Sequence, residues 1–421
     1  MNRKFILKIN LLVILFIASI VVIYKKLNFM YNVFIIIIIC LLLFSELIKN
    51  FNLSRRISFK IKESCMVSLF IFCCFLSTIY NFSLTNTGKL LIIFLMVPIT
   101  IIIVIKYGYE YIVKFLKASL NFVVLFNFVG IYEILSKKNI FFEFLSESLQ
   151  GDKISFQTTY GYDEFRVYSA FGHPIIYGNI LVVFFFICIL LEKSTYKKIV
   201  FSSVILMNLY FTKSRSSWLA FFVILILYLI NRIIYNNKNN KKLKLKVNYI
   251  IAFDFITILV SFLLYKSGVI KKIYERFMLI ELGDGSKIQR VVTIGNIINN
   301  WINSNWFIKL FGNGYDTVKD FMMNNQVLMQ GFQYTDNQYM TMLYEFGVIS
   351  VVIYIIILIF YIKKIIFTEN KFEILMSIIF ISISINMFFY ECFAWKPIIM
   401  LLILSLTLLC LKFTNNINEE I

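Results

Sequence analysis

The sequence has one histidine and no CxxC pair in its 421 residues. A lone imidazole without neighbouring ligands gives little support to a metal site, because zinc-type sites gather several His, Cys or carboxylate donors. The seven cysteines, Cys40, Cys65, Cys73, Cys74, Cys188, Cys392 and Cys410, lie nearly all in apolar runs. They form no disulfide framework and read as small core residues. Acids are scarce too: 23 Asp and Glu stand against 42 Lys and Arg, a formal net charge of +19. Those cations form neither a folded basic domain nor a recognition motif, so nucleic acid is not the expected partner. No internal repeat and no independent soluble domain is visible.

What the sequence has in excess is apolar surface. It is 60% hydrophobic and 18% aromatic, with three prolines and a mean hydropathy of +0.81. A soluble chain of this length could not hide so much of it. Runs of about 20 apolar residues recur, each long enough to cross a hydrocarbon layer of roughly 30 Å. The expected fold is therefore all-α: one integral membrane domain over 1–421, with about twelve transmembrane helices. The expected spans are 5–24, 29–48, 65–83, 90–105, 115–135, 174–192, 199–212, 217–235, 249–267, 336–361, 372–390 and 394–412. The first has a basic start and no A-x-A-like cleavage site, so it reads as an uncleaved span.

Lysine and arginine crowd alternate connections, most densely in "NNKNNKKLKLKVN" from Asn236 to Asn248. By the positive-inside rule this puts both termini in the cytoplasm of a multi-pass cell-membrane protein. Two long segments, 136–173 and 266–334, then lie outside. The second contains "RVVTIGNIINNWINSNWFIKLFGNGYD", whose apolar spacing is helical before a Gly-Asn-Gly turn. It predicts an amphipathic helix lying on the outer leaflet.

Four stretches on that outer side carry the candidate chemistry: "FRVYSAFGHPIIYGN", "TKSRSSWLA", "GDGSKIQR" and "TDNQYMTMLYEFGVIS". Arg166, Arg215 and Arg290 come from three separate segments. Arginine stays protonated and grips phosphate through a planar fork, so three together suit a diphosphate at the lipid surface. Arginines at helix ends also snorkel to headgroups, which is the plainer reading of each alone. Arg215 stands out, because a topology-driven sequence keeps positive charge out of a very short outer loop. Asp336 begins the expected span 336–361, where an acid can simply favour the helix dipole. Glu345 lies nine positions on, about two and a half turns deeper and roughly opposite. An intramembrane acid usually faces a cavity or a partner. His173, just before Pro174 at a helix start, reads as a local hydrogen-bonding group.

Together these stretches resemble the O-antigen polymerase and ligase superfamily, the Wzy- and WaaL-like membrane proteins, over about Arg166 to Ser350. The resemblance rests on an arginine ahead of a helix start ("RVYSAFGHPIIYGN") and on the Ser214-Arg215-Ser216 step. It rests also on a large outer loop with "GDGS" and "FGNGYD", and on the closing "DNQYMTMLYEFG". It implies a GT-C-like architecture whose large outer loop carries amphipathic helices. It also implies glycan transfer from a polyprenyl-diphosphate carrier, with membrane lipid around it and no cofactor or metal. Arg166, Arg215 and Arg290 would bind the diphosphate, and Asp336, Glu345 and Arg215 would be catalytic. His173, Asn337, Tyr339 and Asp284 are secondary candidates from the same motifs. Ligases of the superfamily resemble one another in an H-N-x9-G-x-x-G element. Here Asp336 replaces its histidine and Ser350 its last glycine, which points to a repeat-unit polymerase instead. A flippase and a chain-length regulator are the further partners such a polymerase implies. A ligase-type transferase and a lipid-linked oligosaccharide flippase are the alternatives, though a flippase should show repeated halves.

Overall fold

A computed structural model describes residues 12–13, 15–20, 58–81, 83–141, 165–238, 285–327 and 331–412. These residues are helical throughout, apart from turns and an isolated bridge between Phe59 and Leu411. The helices are α1 (Ile61–Tyr80), α2 (Leu84–Phe94), α3 (Met96–Tyr107), α4 (Tyr109–Ser136), α5 (Pro174–Leu191), α6 (Thr195–Phe211) and α7 (Arg215–Lys238). After residues outside the described set come α8 (Gly285–Asn303), α9 (Trp306–Phe311), α10 (Val318–Asn324), α11 (Gln338–Phe367), α12 (Lys371–Met387) and α13 (Lys396–Leu409).

Six stretches among the described residues are long and apolar enough to cross a membrane: Ile61–Tyr80, Leu84–Tyr107, Tyr109–Ser136, Pro174–Leu191, Arg215–Tyr235 and Gln338–Phe367. The expected spans 199–212, 372–390 and 394–412 appear as the shorter helices α6, α12 and α13. The expected spans 29–48 and 249–267 lie outside the described residues, as does most of 5–24. The span expected at 90–105 starts earlier, at Leu84, because the Ser83 side chain caps α2 by accepting from the Asn86 amide.

The centre of the bundle is α12, which packs against α5, α7, α11 and α13. It is apolar around its whole circumference, the pattern of an enclosed helix, and nearly all of its residues are buried. The outer helices instead expose large apolar side chains, among them Leu69, Phe72, Phe222, Ile226, Ile355 and Ile359. Such an outward face suits lipid rather than water. Polar residues appear where helices meet. Gly178 of α5 abuts Ser217 of α7, whose hydroxyl reaches Ile175 O and Asn386 Oδ1. The hydroxyl of Ser382 donates to Asn179 Oδ1 at 3.0 Å.

Candidate functional site

One end of the bundle gathers the starts of α5, α7 and α11, the end of α6, a face of α8 and the turn between α12 and α13. Three of these meet around residues 166–217. Arg166 Nε donates to Thr212 O at 2.9 Å, and Val167 N donates to Phe211 O at 3.1 Å. The segment ahead of α5 is thus tied to the "TKSRSS" turn, three residues before Arg215. Ser214 shapes that turn: its hydroxyl lies 3.2 Å from Ser216 Oγ and 2.8 Å from Ser217 Oγ. Arg215 itself opens α7 and is partly exposed. Glu133 of α4 accepts from the amides of Tyr168 and Ser169, at 3.3 and 2.8 Å, and so holds the same segment from behind.

His173 caps α5, with Nδ1 accepting from the Ile175 amide at 3.2 Å. That leaves the proton on Nε2 of the neutral ring. Burial, with Arg166 and Arg290 adding to it, holds the imidazole well below its usual range. The ring stacks on Tyr390, centroids 4.4 Å apart, and lies 6.1 Å from Trp395.

The helix α8 is amphipathic, as its spacing suggests, but inside out. Its buried face carries Gln289, Thr293 and Ile297, while Ile288, Val291, Val292, Ile298 and Ile302 are exposed. Arg290 sits on this helix with Nε 4.0 Å from Asp336 Oδ2. Arg290 Nε and Thr293 Oγ1 are both buried without a hydrogen-bond partner among the described residues. Buried donors are normally satisfied, so the open Arg290 Nε beside a carboxylate can receive an oxygen of a ligand.

Asp336 lies ahead of α11, not within it. Asn337 is the N-cap, its Oδ1 accepting from Tyr339 N at 3.0 Å and Met340 N at 3.3 Å. The expectation that Asp336 starts the span is therefore corrected, and with it the helical arithmetic relating it to Glu345. Its φ of 54° is left-handed. Burial pushes its carboxyl up to about 6, with Arg290 opposing. Tyr339 is structural here: it is 4% exposed and its hydroxyl donates to Ser384 O at 3.0 Å.

Glu345 occupies a different setting. It is 2% exposed, two residues before α11's kink at Gly347, and its carboxyl accepts weakly from Val318 N at 3.4 Å. Its charged neighbours are Glu391, Asp316 and Lys319. Asp316 in turn pairs with Lys89 at 2.5 Å and Lys319 at 2.6 Å. The two acids thus have different settings: Arg290 faces Asp336, while Glu345 packs against the FGNG turn. Asp284 lies outside the described residues.

One acid that sequence reasoning missed is central. Glu391, in the α12–α13 turn, is 6% exposed. Its Oε1 accepts from the Thr335 amide at 2.7 Å and meets the hydroxyls of Thr335 and Thr341 at 2.9 and 2.8 Å. Burial raises its carboxyl, these hydrogen bonds oppose the rise, and Asp336 adds to it. The signal was an acid in a turn of a few residues between two apolar runs. Among the described residues no three His, Cys, Asp or Glu side chains converge to hold a metal ion.

No curated protein matches the chain significantly. Residues 200–355 match the family described as O-antigen ligase. The matched stretch includes Arg215, Arg290, Asp336 and Glu345 and leaves Arg166, His173 and Glu391 outside it. Over residues 200–355 this multi-pass membrane protein is thus similar to the O-antigen ligase family, which supports the resemblance to the O-antigen polymerase and ligase superfamily.

Proposed function

We propose that the chain is a membrane glycosyltransferase that polymerises polyprenyl-diphosphate-linked oligosaccharide repeat units at the outer face of the plasma membrane. The product would be a capsule, an exopolysaccharide or an O-antigen. The carrying observation is the open, buried Nε of Arg290 beside Asp336. The cation is placed for an anionic oxygen. The acid, held at about 6, can exchange a proton near neutral pH.

In this reading a hydroxyl of the acceptor unit attacks the anomeric carbon of the donor unit. The new glycosidic bond forms, the bond from carbon to the diphosphate oxygen breaks, and its electron pair leaves with the diphosphate. The hydroxyl proton passes to Asp336. Arg290, with Arg166 and Arg215, meets the charge growing on the leaving group in a site poor in water. Asp336 is preferred to Glu345 as base, because Glu345 sits against the FGNG turn. Full twelve-span topology with cytoplasmic termini would put this end of the bundle outside, where a flippase delivers the units and a chain-length regulator can act.

The ligase reading has its own support in the family description, and the aspartate at position 336 favours the polymerase over it. The surface polysaccharide profile of a deletion strain separates the classes. Single repeat units in place of long chains, restored by the wild type but not by Asp336→Ala, support the polymerase. Long lipid-linked chains left unattached would mean a ligase, and loss of every outer repeat unit would mean a flippase.

A further inference from the structure

The turn between α12 and α13 touches both halves of the site. Tyr390 stacks on His173, Glu391 grips Thr335 and Thr341, and Phe393 N donates to Gln338 Oε1 at 2.8 Å. This turn lies beyond the stretch that matches the family. We propose that Glu391 is a positioning residue for the proposed transfer reaction, fixing the Thr335–Asn337 turn that presents Asp336 to Arg290.

Helix capping does not explain Glu391, because Asn337 already caps α11. Glu391 holds the residue on the other side of Asp336. With Thr335 fixed from behind and Asn337 fixed from ahead, Asp336 is confined to a left-handed backbone that a non-glycine residue rarely adopts. Surroundings that over-determine a strained residue are what such a conformation needs, and its side chain is then aimed with little freedom.

Glu391 also places a second acid beside the first. Asp336 is faced by Arg290 from α8 and by Glu391. Glu391 is faced in turn by Asp336, by Glu345 from α11, by Tyr315 from the FGNG turn and by Cys392 beside it. A like charge makes a carboxyl harder to ionise, and its removal makes ionisation easier.

The inference rests on the polymerase reading, so its test has one arm that needs activity and one that does not. The full-length protein is purified in lipid nanodiscs, with lipid-linked repeat units extracted from the deletion strain as probe. Glu391→Gln keeps an acceptor oxygen for Thr335. It should keep kcat/KM within about threefold of wild type on the alkaline side while the acid limb moves down by on the order of half a pH unit. Glu391→Ala leaves buried donors open and should lose on the order of 100-fold at every pH. Hydrogen exchange over 333–341 supplies the second arm: faster in Glu391→Ala, unchanged in Glu391→Gln. Wild-type kcat/KM in Glu391→Ala, an unmoved acid limb in Glu391→Gln, or unchanged exchange in Glu391→Ala would each overturn the proposal. If the wild type itself joins no units, the polymerase reading falls, and exchange alone decides whether Glu391 holds the turn.

Discussion

Asp336 works between two opposing influences. Burial raises its carboxyl and the Arg290 guanidinium lowers it, leaving it at about 6. As the proposed base it must be ionised, so activity should be full above that value and fall as the pH drops through it. Arg290→Met removes the opposing cation, so the acid limb should climb by about one pH unit, beyond any fall in rate. A pH profile of kcat/KM measures this, and the shift is opposite in sign to that of Glu391→Gln. Arg215→Lys should be on the order of 100-fold slower in single-turnover assays, because a point charge replaces a planar fork. The charged candidates were legible in the sequence, since Arg166, Arg215, Arg290 and Asp336 are ions at the edges of apolar runs, where ions need a reason. The partners of Glu391 were not. Thr335 is 56 residues away, and only the fold of α11 against α12 brings the two together. Glu133 was hidden likewise, its ligands being amides 35 and 36 residues on.

At the scale of elements, the feature that joins α11 to the FGNG turn is an interlock of two glycines. Gly347 kinks α11 with φ 73° and ψ 177°, and Gly312 enters the FGNG turn with φ 80°. A Cβ on Gly347 would strike the backbone of Leu310 and Phe311, and one on Gly312 would strike that of Glu345 and Phe346. The two chains touch backbone to backbone. Gly314 N donates to Glu345 O at 2.7 Å, and Asn313 N donates to Tyr344 O at 2.9 Å. Ser77 of α1 completes the joint, its hydroxyl donating to Glu345 O at 2.5 Å. Gly347→Ala should therefore cost at least 1–3 kcal/mol from the backbone angle alone, about that range being typical of forced left-handed residues. It should lower the midpoint of thermal unfolding in detergent. Gly295→Ala is the contrasting case: it lies on α8 with open space around it, and should hold or raise that midpoint, since alanine favours a helix by up to about 1 kcal/mol. The helix α11 was legible from its apolar run. Its kink was not, because a lone glycine in a helical pattern has many uses and the FGNG turn that fills this one is contributed by a distant loop.

For the whole molecule, apolar run length carried the architecture. Each expected span among the described residues falls on helix, 90–105 on the two helices α2 and α3, and six stretches among those residues are long and apolar enough to cross a membrane. Less legible was which helix sits at the centre. The helix α12 is less apolar than α5 or α13; it is central because α5, α7, α11 and α13 all pack on it. That enclosure lets its Ser382, Ser384 and Asn386 stay polar and buried while bonded to other helices. The turn that leaves this central helix holds Glu391, so the rigid core and the site are mechanically continuous. The most direct test of the whole reading is the length of the lipid-linked product made by the purified protein from single repeat units in nanodiscs. The expected result is a ladder of lengthening chains from the wild type and only single units from Asp336→Asn. Single units left unjoined by the wild type, or the same ladder from Asp336→Asn, would contradict it.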